Sequence, residues 1–128
     1  MNAILLVGAG GFIGAAGRYL ISGWIQNGYS AFPFGTLGVN IIGSFLLGTI
    51  MYMTEFSGVF SDETRIFLTI GVIGAFTTMS TFGYESFRML EENSVLKFFI
   101  YSGATMIFSL AAVWAGKVVA GLTGGLIA

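Results

Sequence analysis

Residues 74–82 read GAFTTMSTF. On their left lies RIFLTIGVI, residues 65–73, an apolar run after its first residue. On their right, after Gly83 and Tyr84, comes Glu85. Four hydroxyl residues, Thr77, Thr78, Ser80 and Thr81, therefore sit in the middle of a segment otherwise greasy enough for lipid. Thr, Ser and Gly weaken a helix, and their hydroxyls compete for backbone hydrogen bonds. The cluster points to a break or bulge. Non-helical backbone at membrane depth is tolerated only where it is buried in protein or lines a cavity. Carbonyls freed there suit a cation, and freed amides suit an anion. The alternative is a straight helix whose hydroxyls bond back to its own carbonyls.

The rest of the chain makes a membrane setting the natural one. Its 128 residues are enough for one domain, taken here as residues 1–128. Hydrophobic residues make up 55% and charged residues 9%, against roughly 25% charged in soluble domains. A net charge of −1 gives no reason to expect nucleic acid as a partner. With no Cys and no His, disulfides, thiolate sites, zinc sites and a Ser-His-Asp triad are excluded.

Four apolar segments run from about Ala3 to Ile25, Gly35 to Met53, Ile66 to Tyr84 and Phe98 to Gly116. Each has about the 20 residues that a helix needs to cross a bilayer. The fold class is therefore an all-α membrane protein with four transmembrane helices. Arg18 is the one charge in the first segment. Glu85 and Arg88 follow the third, which places Glu85 near a helix end. Lys117 and an apolar tail follow the fourth. The connections QNGYSAFP, TEFSGVFSDET and EENSV hold the turn formers and most of the charges. The first segment is too long for the apolar core of a signal peptide, and no clear small-residue cleavage site follows it.

Lys and Arg in the loops set orientation. With four spans, Arg65 falls on one side, together with Lys117 if the last helix ends near it, and Arg88 and Lys97 fall on the other. Either a short protein simply has few charges to count, or copies insert in both directions. Oppositely inserted copies could pair as an antiparallel dimer. Four short helices alone can hardly enclose a polar path, so a dimer is also attractive geometrically.

Thr36, Asn40, Ser44 and Gly48 recur every fourth residue and share one helix face. Tyr101, Thr105 and Ser109 do the same in the fourth segment. Small and hydroxylated residues often glue membrane helices together, which is the simpler reading for Ser44 and Gly48. Asn40 is different, because an amide at membrane depth usually faces a cavity or a partner. In the first segment GAGGFIGAAGRY lacks the G-x-G-x-x-G spacing and the flanking strand of a dinucleotide site. Gly10 and Gly14 instead form a G-x-x-x-G pair for close backbone approach. Arg18 follows on the same face. It either snorkels to an interface or sets a positive potential at a pore mouth.

These motifs, GxxGxxxRY, FPFGTLGVNIIGSFLLG and GAFTTMSTFGYE, resemble the Fluc/CrcB family of fluoride channels over about residues 8–109. The resemblance implies an antiparallel, dual-topology homodimer in a bacterial inner membrane, with two fluoride pores lined by both subunits. It implies a structural sodium ion at the dimer centre, held by the main-chain carbonyls of Gly74 and Thr77. It places Asn40, Met79, Ser80, Thr81, Phe82, Tyr101, Thr105 and Ser109 along the ion pathway, with Arg18, Thr36 and Glu85 at its mouth or in support. One position departs. The family pattern T-T-F-S-T-F carries a pore-lining phenylalanine where this chain has Met79, whereas Phe82 matches the second. An aromatic ring edge is positive and can touch a bare anion. A thioether is polarizable but offers only a weakly positive methyl.

The expectation is a passive fluoride channel, not an enzyme. Neutral donors and ring edges can replace the water around a small anion without trapping it, whereas a buried full positive charge holds it too tightly. No nucleotide motif supports pumping. Two rivals stand beside this reading. A four-helix proton-coupled exporter needs an acid inside its first span, and there is none here. A non-conducting subunit of a larger complex explains the glycines but not two polar stripes and a break.

Overall fold

The computed structural model describes residues 2–28 and 31–127, so Tyr29 and Ser30 of the first connection lie outside the described residues, as do Met1 and Ala128. The described chain is all-helical, with four helical stretches long and apolar enough to cross a membrane. Helix α1 is Ala3–Gln26. It opens on the side chain of Asn2, whose Oδ1 accepts from the Ile4 N–H, a common way to satisfy an orphan amide. Helix α2 is Phe34–Ser57, and it ends at Gly58 in the left-handed conformation that glycine adopts without a steric penalty (φ 60°). Ser61 then caps α3, residues 62–76, by accepting from the Thr64 N–H. Helix α4 is Met79–Glu91, and α5 is Val95–Ile127.

Helix α2 runs on to Ser57 and the third span to Glu91, past the expected Met53 and Tyr84, and two larger departures stand beside these. The fourth span does not stop at Gly116. Instead α5 runs on through 33 residues, about 50 Å at 1.5 Å per residue, against a hydrocarbon core of about 30 Å. Lys117 is therefore inside a helix. Its ammonium lies 4.9 Å from the centroid of the Tyr52 ring, which offers the charge its negative face. The second departure is in α3. After the first turn, Asp62–Arg65, residues Ile66–Ile73 form a π-helix of 8 residues, and Gly74–Phe76 return to α. The π-helix is rare, usually a single turn inside an α-helix, and frequently found at functional sites.

Glycine decides how the helices meet. Helices α1 and α3 run parallel with their backbones in contact. A Cβ on Gly10 would stand 2.6 Å from Phe67 O, and one on Gly71 would stand 2.9 Å from Gly10 Cα. Gly14 faces Val72 and Ala75 one turn further along. The G-x-x-x-G pair is thus the seat of the π-helix. Helices α2 and α5 are likewise parallel: a Cβ on Gly48 would stand 2.7 Å from Val113 O, and one on Gly116 would stand 2.5 Å from Phe45 O. The outer faces stay apolar and open, with Phe12, Tyr19 and Trp24 on α1 and Leu96 and Trp114 on α5 largely exposed. Lipid tails accept such surfaces, and the aromatic residues suit the interfaces.

Candidate functional site

The hydroxyl-rich stretch sits where α3 gives way to α4. Helix α3 ends at Phe76. Thr77 and Thr78 are extended (ψ 159° and ψ 120°), and helical geometry resumes at Met79. Thr78 is buried and holds the junction together. Its Oγ1 accepts from the Thr81 N–H at 3.2 Å, capping α4, and donates to Thr81 Oγ1 at 3.1 Å. Ser80 Oγ lies 3.3 Å from Thr78 Oγ1. From α2, Asn40 grips the Thr78 peptide at both ends. The Thr78 N–H donates to Asn40 Oδ1 at 2.8 Å, and Asn40 Nδ2 donates to the Thr78 carbonyl at 3.1 Å.

This pairing leaves carbonyls over. In a continuous helix the Thr78 N–H would serve Gly74 C=O, and the Thr81 N–H would serve Thr77 C=O. Both donors are engaged elsewhere, with Asn40 and with the Thr78 side chain. Gly74 itself is exposed, and a Cβ added to it would meet nothing nearer than Thr69 O at 3.5 Å.

The candidate residues fall into two groups on either side of this junction. Asn40, Ser44, Gly74, Thr77, Met79, Thr105 and Ser109 line an open pocket of about 290 Å³. Met79 projects outward and is 77% exposed. The Thr105 hydroxyl is buried and has no hydrogen-bond partner among the described residues. Thr36, Thr81 and Glu85 line a separate cleft of about 840 Å³, together with Gln26, Arg88 and Glu92. Tyr101 and Phe82 stand behind this cleft. The Tyr101 ring is fully buried, and its centroid lies 5.1 Å from that of Phe82. Arg18 is half-buried on α1 and lines neither opening.

Glu85 corrects the sequence reading. It lies within α4, which continues to Glu91, and not near a helix end. It is tolerated there because two hydroxyls satisfy it: Thr36 Oγ1 donates to Oε1 at 2.8 Å and Tyr101 OH to Oε2 at 2.6 Å. Thr36 and Tyr101 are thereby tied to the acid in addition to standing on their own stripes. Three contributors were missed. Phe32 meets the Tyr101 ring edge-on at 5.5 Å. Gln26 ties the first connection to α2, donating to Phe32 O and accepting from the Gly35 N–H. Gly43 makes room for the Thr77 methyl, which a Cβ there would strike. Phe32 and Gly43 both lie in the motif FPFGTLGVNIIGSFLLG, and Gly43 also shares the Asn40 face, whereas nothing in the sequence singled out Gln26.

Comparison with known proteins places this arrangement. Residues 5–117 match the model of the CrcB-like protein family, described as Camphor Resistance (CrcB). The chain belongs to the CrcB family. Among its relatives in the family, the fluoride-specific ion channel FluC 3 of Methanosarcina barkeri is 60% identical over 120 residues, which is 94% of this chain and 91% of the relative. FluC 1 of Methanosarcina acetivorans is 58% identical over 92% of this chain and 90% of its own length. The fluoride-specific ion channel FluC of Geotalea uraniireducens is 41% identical over 94% of this chain and 98% of its own length. The CrcB family match spans α1 to α4 and most of α5, so it takes in the junction and both openings.

Proposed function

We propose that this CrcB protein is a passive fluoride channel that lets the ion leave a cell down its gradient. The observation that carries the reading is the extended Thr77–Thr78 pair in the middle of the third apolar stretch, with hydroxyl and amide side chains among the residues lining the openings on both sides of it. Irregular backbone in a membrane is tolerated only where it is buried in protein or lines a cavity, and this junction has an opening on each side. The naming of relatives as fluoride-specific ion channels supports the choice of ion.

Two copies related by an antiparallel two-fold axis complete the site in this reading. Each pocket is open on one side, and Met79 and Gly74 stand uncovered there. A second copy seated on them encloses two pathways. Each pathway passes Asn40, Met79, Ser80, Thr81, Phe82, Tyr101, Thr105 and Ser109, with Thr36 and Glu85 at the cleft and Arg18 near its mouth. The hydroxyls and the Asn40 amide replace water around the anion, and the Phe82 ring edge touches it. Glu85 is held away from the ion by Thr36 and Tyr101.

A structural sodium ion fits the spare carbonyls. Gly74 C=O and Thr77 C=O have lost their helical donors, and neutral oxygens from unwound backbone are common sodium ligands. With two copies, four such oxygens meet at the axis, where sodium ties the halves together. Fluoride efflux from liposomes holding only the purified protein tests the function. Flux without a proton gradient supports the channel. Flux that needs a proton gradient supports an exporter, and no flux points to a non-conducting subunit.

A further inference from the structure

Asn40 meets the Thr78 peptide the way a strand neighbour would, with one acceptor for its N–H and one donor for its C=O. We infer that Asn40 is the positioning residue that keeps the third span open: by taking the Thr78 N–H it withholds the helical donor of Gly74 C=O and leaves that carbonyl free for a cation. The inference rests on the reading of Gly74 and Thr77 as cation ligands.

The chemistry of residue 40 is selective. A carboxamide carries both a donor and an acceptor in the planar arrangement of a peptide. A carboxylate keeps only the acceptor, and leucine keeps neither. Asn40 and Thr78 are both buried, at 9% and 8% exposure, so water is a poor substitute partner for either. If the helix closed through this point, the Thr78 N–H would turn to Gly74 C=O. Asn40 would then be left in the interior with both polar ends unpaired, which is costly.

A second observation on the same face of α2 supports this role. Gly43, one turn beyond Asn40, stands against the Thr77 methyl with no room for a Cβ. Helix α2 therefore holds Thr78 by hydrogen bonds and accommodates Thr77 by space. Thr77 completes the picture, because its N–H and its Oγ1 both go to Ile73 O, at 3.0 and 3.1 Å. That closes α3 one residue before the bond that Asn40 diverts.

The test compares parent, Asn40→Leu and Asn40→Asp in lipid bilayers. Carbon-13 chemical shifts of Thr77 and Thr78 report whether each is extended or helical. Thermal unfolding in sodium against a bulky organic cation reports sodium binding, because a ligand bound only by the folded state raises its midpoint. In the parent both threonines are expected to be extended, with a higher midpoint in sodium. Asn40→Leu is expected to move both threonines to helical shifts and to lose the sodium response. Asn40→Asp keeps the acceptor for the Thr78 N–H, so it should stay extended and keep a sodium response even where fluoride flux is lost. Extended shifts in Asn40→Leu overturn the inference. If that variant does not fold, helical shifts in Asn40→Asp overturn it and extended shifts uphold it. A shift change in Asn40→Leu with no sodium response in the parent upholds the positioning role and removes the cation reading.

Discussion

The Tyr101 hydroxyl donates to Glu85 Oε2 at 2.6 Å while Thr36 donates to the other oxygen at 2.8 Å. Three helices, α2, α4 and α5, are thereby fastened to one carboxylate. Tyr101→Phe leaves Oε2 without its donor in a half-buried setting. Leaving a buried acceptor without its donor costs about 1–3 kcal/mol. Unfolding in detergent should show that loss for Tyr101→Phe, together with reduced fluoride efflux. Tyr84→Phe removes a hydroxyl from a side chain that is 69% exposed, and it should stay within about 0.5 kcal/mol of the parent.

The seat of the π-helix gives a contrast between neighbouring glycines. A Cβ at Gly14 would strike the Val72 backbone, whereas at Gly8 it would meet nothing within 4 Å. Gly14→Ala should therefore push α1 from α3 and lower stability by about 1–3 kcal/mol, the usual range for overpacking. Gly8→Ala should be neutral or stabilising by up to about 1 kcal/mol, since alanine favours a helix. Equal effects in unfolding experiments would contradict the backbone contact.

The close backbone approach at Gly10 and Gly14 was legible in the sequence because the pair is periodic, and so were the four spans, whose signal is a run of apolar residues. The π-helix was not. Ile, Gly and Val read alike in α and π geometry, and the contact of the wider turn with Gly10 and Gly14 joins residues far apart in sequence. The Asn40–Thr78 pairing was equally hidden. It joins residues 38 apart in sequence, and no spacing rule encodes such a contact. Sequence spacing placed Thr36, Asn40, Tyr101 and Thr105 on polar stripes, but not the way Glu85 draws two of them together. The helix bound at Gly116 failed because Lys117 was read as an end marker, when the Tyr52 ring accommodates its charge.

The exposed Gly74 offers a test of the dimer that folding of one copy does not mask. Within the chain, its Cβ position meets only Thr69 O, at an ordinary 3.5 Å. Gly74→Leu should therefore keep the helical content of the parent. If a second copy covers this position, the bulk should separate the copies. Single-molecule photobleaching in liposomes should then count one subunit where the parent shows two. A dimeric Gly74→Leu would move the interface elsewhere.

Orientation can be read in cells. A cysteine introduced in the second connection, at Ser61, has no native thiol to compete with it. Arg65 on one side of the third span stands against Arg88 and Lys97 on the other, too few charges to set a strong bias, and unbiased insertion exposes about half of the copies to an impermeant outside reagent. Labelling confined to all copies or to none would leave a single orientation.

Met79 and Phe82 separate packing from contact with the ion. Met79 is 77% exposed and stands on the pocket with Asn40 and Thr105. Phe82 is half-buried with its ring 5.1 Å from Tyr101, the residue that holds Glu85. Met79→Ile exchanges one apolar side chain for another of similar size and should cost less than about 1.5 kcal/mol, even where a second copy covers the position. Phe82→Ile loses both the ring edge and the contact with Tyr101, and an aromatic pair adds about 0.5–1.5 kcal/mol beyond its burial. It should lower stability and fluoride efflux together, and more than Met79→Ile does. Met79→Phe restores a ring edge of similar size and should keep or raise the flux. These efflux rates, measured beside unfolding midpoints, decide the role of residue 79. If Met79→Ile reduces flux as much as Phe82→Ile while stability holds, the thioether itself handles the anion and the ring edge at 82 has no special part.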